Sequence, residues 1–207
     1  MPKRPFIPNA TAPYHVTARA ANQAWFPLPM PVVWEIFSDY LYLIRLTYNV
    51  EIISFVLMNN HYHMLIRTPD ANLPQAMNYL QRETSRQINF HAKRINQVWG
   101  GRYSASLVLT NKQYANVYKY VYRNPVDAGI TTHAEIYRYS TLNGLFGLSR
   151  LSIPLIHDRL LFEDPTTRLQ WLNSPFPNQN MRGQIRRALR QRQFEFGKER
   201  DRRLLRG

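Results

Sequence analysis

The chain of 207 residues is long enough for one domain with an appendage, and 44% of its residues are hydrophobic, so it can bury a core. The absence of cysteine excludes disulfides and cysteine-ligated zinc. A formal net charge of +14 favours a polyanionic partner, most commonly nucleic acid, over the alternative of a basic protein without such a partner.

The first segment, residues 1–13, is punctuated by proline and has no apolar signal core. No apolar run along the chain is long enough to cross a membrane, so we expect a cytoplasmic protein with no membrane contact. The alternating residues 14–19 predict a first strand. Pro31 suits the first turn of a helix, and apolar residues recur after it at helical spacing up to Thr47.

Residues 50–67 predict a β-hairpin that carries a pair of histidines. Both flanks are rich in β-branched and aromatic residues, and two asparagines between them suit a tight turn. Because side chains alternate along a strand, His61 and His63 share one face, roughly 6.5–7 Å apart, while Tyr62 points to the other. Two imidazoles at that spacing can bind one metal ion. The alternative is that the two residues are ordinary surface histidines at the end of a strand, and an isolated pair would favour that alternative.

Two more helices and a strand follow the hairpin. Asn72 and Gln75 have the spacing of a capping box and predict the start of a helix. Residues 104–109 predict a strand, and residues 112–124 a helix that Pro125 should stop. This order of elements predicts an α+β fold, with helices packed on one face of an antiparallel sheet.

The third predicted helix is crowded with tyrosines, at positions 114, 118, 120 and 122. Tyr120 and Asn124 are four residues apart and so project from the same face of that helix. A phenol, with a pKa of about 10, is a poor nucleophile unless the electrophile is activated, as by a divalent ion on a phosphate oxygen. A tyrosine beside a His/His/Asn metal site therefore predicts phosphoryl transfer through a covalent link. The alternative to a catalytic role is that such tyrosines pack in the hydrophobic core, and we expect this for two or three of the four.

Beyond residue 131 the pattern weakens. Asp164 before Pro165 predicts another helix start, and the tail 181–207 is dense in arginine. Two hypotheses stay open for the tail: a solvated, partly disordered end, or an arm that neutralises phosphates. In either case we expect it to be mobile without a ligand.

Five segments resemble motifs of one family, and they occur in the family's order. They are an opening strand at 14–19, a pair of histidines around a bulky residue (the HUH motif) at 61–63, a Gly-Arg-Tyr turn at 99–104, a helix ending in Asn-Pro-Val-x-Ala-Gly at 119–129, and a closing segment at 137–144. The chain thereby resembles the single-tyrosine HUH transposases and, within them, the REP-associated tyrosine transposases. It departs from them in having Asn59 where relatives usually carry proline, and Tyr62 where they carry an aliphatic residue.

The resemblance implies a ferredoxin-like core that cuts and rejoins single-stranded DNA. It divides the chain into a catalytic domain, 1–150, and a basic, largely helical extension, 151–207. By position, it implies that His61 and His63 bind magnesium or manganese with Asn124 as third ligand. Tyr120 would then attack a backbone phosphate, form a 5′-phosphotyrosine and release a 3′-hydroxyl. Because imidazole is a soft ligand for magnesium, we expect manganese to bind at least as well.

The DNA partner implied is a single strand with a REP-like hairpin and unpaired flanks; a homodimer is left open. The basic residues predicted to contact DNA are Arg67, Arg102, Lys119, Arg123, Arg186, Arg187 and Arg190. Exposed aromatic residues should stack on unpaired bases, although the sequence does not say which are exposed. Two rival hypotheses remain: a non-catalytic single-stranded nucleic-acid-binding protein of the same fold, and a metal-dependent nuclease that uses water instead of tyrosine.

Overall fold

The computed structural model describes residues 6–156, 164–178 and 180–196 of the chain. One antiparallel sheet lies at its centre, with the strand order β2-β3-β1-β4. The strands are β1 (Tyr14–Arg19), β2 (Glu51–Met58), β3 (His61–Arg67) and β4 (Ser104–Leu107).

The helices of the described residues are α1 (Met30–Tyr48), α2 (Leu73–His91), α3 (Asn111–Asp127), α4 (Thr141–Leu145), α5 (Pro165–Asn173) and α6 (Met181–Ala188). In chain order the core reads β1-α1-β2-β3-α2-β4, and with the observed strand order this is the ferredoxin-like arrangement. The predicted α+β fold class is therefore confirmed. None of the described helices is both long enough and apolar enough to cross a membrane.

Helices cover both faces of the sheet, whereas the sequence predicted one. On the first face α1 and α2 enclose a core that contains Phe37, Phe55, Tyr62 and Trp99. On the second face α3 packs with the later helices in a separate buried cluster. The reason lies in β2, which is apolar on both sides: the alternate residues Val56 and Met58, together with Ile53 at an irregularity of the strand, face the second cluster and need a cover.

Helix α3 continues through Pro125 to Asp127, although a stop at that proline was predicted. Proline has no N–H to donate to the carbonyl of Val121, four residues earlier. The Asn124 Nδ2 donates to that carbonyl at 3.4 Å and to the carbonyl of Tyr120 at 2.8 Å, which offsets part of the loss.

Of two helix starts that the sequence predicted, one differs in detail from the prediction. Asn72 makes no capping hydrogen bond to α2; its Nδ2 donates instead to the carbonyl of Tyr48. Asp164 does cap α5, as predicted, by accepting from the backbone N–H of Thr167 at 3.2 Å.

The described part of the arginine-rich tail is packed rather than loose. Helix α6 buries Ile185 in the second cluster, and Leu189 and Phe194 follow it there. The N–H of Phe194 also donates to the carbonyl of Leu107, at the end of β4. Residues 197–207 lie outside the described residues, and the division of the chain near residue 150 stays a prediction.

Candidate active site

A cavity of about 480 Å3 opens on the second face of the sheet, between β1, β3, α3 and α6. We call it the histidine–tyrosine cavity. The residues that define it are His15, Arg19, His61, His63, Arg102, Tyr120, Asn124, Arg182, Arg186 and Arg190. The strand register explains the four of these ten residues that come from β1 and β3: Thr17 pairs with His63 and Arg19 with His61, so alternate residues of both strands share this face.

The two histidines of the hairpin lie side by side, with ring centroids 5.1 Å apart and planes nearly perpendicular. Each ring is held through its Nδ1. The Nδ1 of His61 lies 2.7 Å from Oδ1 of Asn60, and the Nδ1 of His63 lies 2.9 Å from Nε2 of His15. These contacts leave Nε2 of both rings for a ligand, and partners of this kind orient metal-binding histidines.

Burial keeps all three imidazoles neutral. It lowers the pKa of His15 to about 3. It lowers the pKa of His61 to about 4, with a smaller contribution from the charge of Arg19. The pKa of His63 falls well below its ordinary value, again mainly through burial. Neutral imidazole is the form that coordinates metals, so the pair is ready to bind at physiological pH.

Tyr120 reaches this cavity from α3. Its ring meets the rings of His63 and His15 edge-on, with centroid distances of 5.5 and 6.1 Å. Burial raises the pKa of Tyr120, while the charges of Arg182 and Arg186 act in the opposite direction. The phenol is therefore protonated at neutral pH, beside cations that favour its ionised form.

The neighbouring tyrosines face elsewhere, as their rotation around the helix predicts. Tyr118 and Tyr122 are buried in the second cluster, with ring centroids 4.9 Å apart, and neither lines the histidine–tyrosine cavity. The hydroxyl of Tyr122 lies 3.0 Å from Oγ1 of Thr141.

Asn124 lies one turn beyond Tyr120 and also lines the cavity. Because its Nδ2 donates to carbonyls of its own helix, Oδ1 is the atom that can coordinate an ion. Within the described residues, no group of three His, Cys, Asp or Glu side chains could hold a metal. Two imidazoles and one amide oxygen are a different donor set, in which the nitrogen ligands are less suited to Mg2+ than an all-oxygen site would be.

Besides Arg19 of β1, arginines from two later parts of the chain meet at the cavity. Arg102 belongs to the turn before β4, whereas Arg186 and Arg190 come from the C-terminal segment; all three are exposed. Arg187 is exposed but does not line the cavity. Arg182 lines it as well, and its Nε lies 3.0 Å from Oδ2 of Asp127.

Three of the predicted DNA contacts lie away from the cavity. The guanidinium of Arg67 forms a salt bridge with Glu51 and donates to the carbonyl of Thr11 at the far end of β3. Lys119 is 3% exposed, and its Nζ donates to Oγ of Ser174. Neither Arg67 nor Lys119 lines the cavity, and a contact of either residue with DNA stays a prediction.

Arg123 is the third, and it holds the C-terminal end of α5. It donates to the carbonyls of Leu172, Asn173 and Ser174 and pairs with Asp127. The cause is helix geometry: Lys119 and Arg123 lie about 100° and 60° to one side of Tyr120, and Asn124 about 40° to the other. Neighbours in sequence are therefore not neighbours in the site.

Reasoning from the sequence missed His15, Arg19 and Arg182. For the first two a signal existed, because β1 alternates apolar Tyr14, Val16 and Ala18 with polar residues. For Arg182 the signal is the spacing of four residues that it shares with Arg186 and Arg190.

This chain is similar to known transposases. A family model described as "Transposase IS200 like" matches residues 29–124. A curated protein of Haemophilus influenzae, described as a REP-associated tyrosine transposase, is 25% identical over 107 residues, which cover 46% of this chain. The chain spans 61% of that relative's length.

A solved structure shares the fold. It is described as a REP-associated tyrosine transposase bound to a REP hairpin, and it matches with a TM-score of 0.61 at 16% identity. The match covers 86% of this chain and 96% of the other. Together with the family model and the curated relative, it confirms the predicted resemblance to REP-associated tyrosine transposases.

Proposed function

We propose that this chain, whose residues 29–124 match a family model described as "Transposase IS200 like", cuts and rejoins single-stranded DNA through Tyr120. One observation carries the proposal: Tyr120 comes from a helix far along the chain, yet its ring packs against His63 of the hairpin pair. A protein that only bound nucleic acid would not need this convergence.

The proposed step is a transesterification. The Tyr120 hydroxyl oxygen bonds to the phosphorus of a backbone phosphate as the bond from phosphorus to the 3′ oxygen breaks. The phenol loses its proton, the 3′ oxygen gains one, and the products are a 5′-phosphotyrosine and a free 3′-hydroxyl. One phosphodiester replaces another, so attack by a 3′-hydroxyl can reverse the step and rejoin strands.

His61, His63 and Asn124 would hold a divalent ion, Mg2+ or Mn2+, in this proposal. Such an ion would withdraw charge from the phosphate under attack. Support comes from the free Nε2 atoms of the two rings, their neutral state, and the available Oδ1 of Asn124. All of these residues belong to one chain, so the proposed chemistry requires no residue from a second copy.

The proposed substrate is a DNA strand with a hairpin and unpaired flanks. The related solved structure is described as bound to a REP hairpin, which supports the same class of DNA here. Arg19, Arg102, Arg182, Arg186 and Arg190 give the cavity a positive rim that suits a phosphate backbone. Arg67, Lys119 and Arg123 are not part of this proposed surface.

Replacing Tyr120 with phenylalanine tests the proposal. We expect Tyr120→Phe to bind Mn2+ and hairpin DNA like the native protein but to form no covalent protein–DNA adduct on a denaturing gel. Tyr118→Phe is the matched control, because it removes a hydroxyl from the same helix outside the cavity, and it should retain the adduct. Cleavage that survives in Tyr120→Phe would favour the rival nuclease that uses water.

A further inference from the structure

A second cavity, of about 540 Å3, opens where the chain leaves β1. Its volume is typical of sites for small ligands, which span about 300–1,000 Å3. We call it the Trp25 cavity; its polar and aromatic lining comes from Asn22, Trp25, Asn89, Arg94, Asn96 and Gln97.

The lining has the chemistry of a nucleobase site. Trp25 is 74% exposed, and its indole therefore offers a large flat face that the rest of the described chain leaves uncovered. Four carboxamide side chains surround it, and an amide both donates and accepts hydrogen bonds, as the edges of bases do. Arg94 adds a positive charge, and no described residue of the lining is acidic.

The loop that carries Trp25 is tied to the turn that carries the metal-site histidines. The N–H of Phe26 donates to the carbonyl of Asn59, and the N–H of Ala20 donates to the carbonyl of Asn60. The Nδ2 of Asn60 donates to the carbonyl of Gln23, while its Oδ1 contacts His61. The backbone on either side of Trp25 is therefore held against the turn that carries His61.

We propose that the Trp25 cavity binds an unpaired base of the DNA strand, stacked on Trp25, in the flank next to the phosphate that Tyr120 attacks. This inference rests on the proposed function and adds a binding site to it. Stacking makes the site tolerant of which base is bound, and the amides of Asn22, Asn96 and Gln97 supply the hydrogen bonds along the edge of the base.

The test compares the affinity of Trp25 variants for a hairpin with an unpaired flank, measured by fluorescence anisotropy. Stacking on one aromatic residue is worth about 1–3 kcal/mol, so Trp25→Ala should weaken binding about 5- to 150-fold. Trp25→Phe should restore most of the affinity because it keeps an aromatic face. Tyr42→Ala is the matched control: it removes a half-exposed aromatic residue that lines neither cavity, and it should bind like the native protein.

Replacing flank nucleotides one at a time by abasic units completes the test. An abasic unit at one flank position should weaken binding to the native protein as much as Trp25→Ala weakens binding to the intact strand. When the variant and that abasic strand are combined, the two losses of affinity should not add. Equal affinity of Trp25→Ala and native protein, or fully additive losses at every position, would overturn this inference while leaving the proposed function intact. If the native protein bound no hairpin strand at all, the proposed function would fail first.

Discussion

His15 supports the proposed metal site by contacting one of its ligands, His63. It is buried, and its Nε2 meets Nδ1 of His63. If His63 coordinates through Nε2, its Nδ1 carries the proton and donates it to His15. His15 then fixes both the tautomer and the orientation of His63.

We predict that His15→Phe lowers Mn2+ affinity about 10- to 100-fold, the usual cost of losing such a supporting partner. Phenylalanine keeps a buried ring of similar shape, so the fold should survive. Isothermal titration with Mn2+ measures the effect without any DNA. His91→Phe, at the exposed end of α2, is the control and should bind Mn2+ normally. Unchanged affinity in His15→Phe would remove His15 from the site.

Residue types and spacing in the sequence were enough to predict His61, His63 and Tyr120 as one site. Strand alternation gives the pair one face, and helix rotation separates Tyr120 from Tyr118 and Tyr122. The same reasoning did not predict that Lys119 and Arg123 hold the end of α5, because their partners there lie some 50 residues later in the chain. Contacts over such a distance have no local signature.

At the scale of elements, α3 serves two purposes on two faces. One face presents Tyr120 and Asn124 to the cavity, and the other holds α5 through Lys119 and Arg123. The Nζ of Lys119 lies 5.0 Å from the ring centroid of Trp171 and 5.3 Å from that of Phe176. Burial, with a contribution from the charge of Arg123, lowers the pKa of Lys119 to about 8.

The lowered pKa of Lys119 predicts how the free energy of unfolding changes with pH. In the unfolded chain Lys119 is half deprotonated at about pH 10.4, whereas in the folded protein it is half deprotonated at about pH 8. Between these values the unfolded state binds more protons, so this lysine adds stability as pH rises, by at most about 1.4 kcal/mol per pH unit. Well below pH 8 both states are charged and the contribution of Lys119 is constant.

Urea unfolding at pH 7, 8 and 9.5 measures that contribution. Between pH 8 and 9.5 the free energy of unfolding of Lys119→Met should rise less, or fall more, than that of the native protein. Lys112→Met, at the exposed start of the same helix, should follow the native profile. If the Lys119→Met and native profiles were parallel, the lowered pKa would be contradicted.

At the scale of the whole molecule, the charge of +14 is distributed so that arginines from β1, the β4 turn and α6 meet around one cavity. The sequence predicted the fold class, and it left a phosphate-binding arm as one of two hypotheses for the tail. It did not predict that α6 would pack into the second cluster. The apolar residues that do so, Ile185, Ala188 and Leu189, are few and stand among arginines, so the segment does not show a clear apolar face in the sequence.

The salt dependence of DNA binding tests this charged rim. Each phosphate contact to a single strand contributes about 0.7 to the slope of log affinity against log salt, so Arg186→Gln with Arg190→Gln should flatten the slope by roughly 1.4. Arg187→Gln, exposed on the same helix but outside the cavity, is the control. Deleting residues 181–207 is a poorer test, because it also removes buried Ile185, Leu189 and Phe194. An unchanged slope in the double variant would exclude these arginines from the DNA surface.

The polarity of the covalent link tests the central claim most directly. A hairpin strand labelled at either its 3′ or its 5′ end is incubated with the native protein and Mn2+, then run on a denaturing gel. Attack by Tyr120 predicts that the 3′ label stays with the protein, on a peptide that contains Tyr120, while the 5′ label runs as a shorter free strand with a 3′-hydroxyl. A 5′ label retained on the protein, or two cut fragments with neither attached to it, would contradict the account.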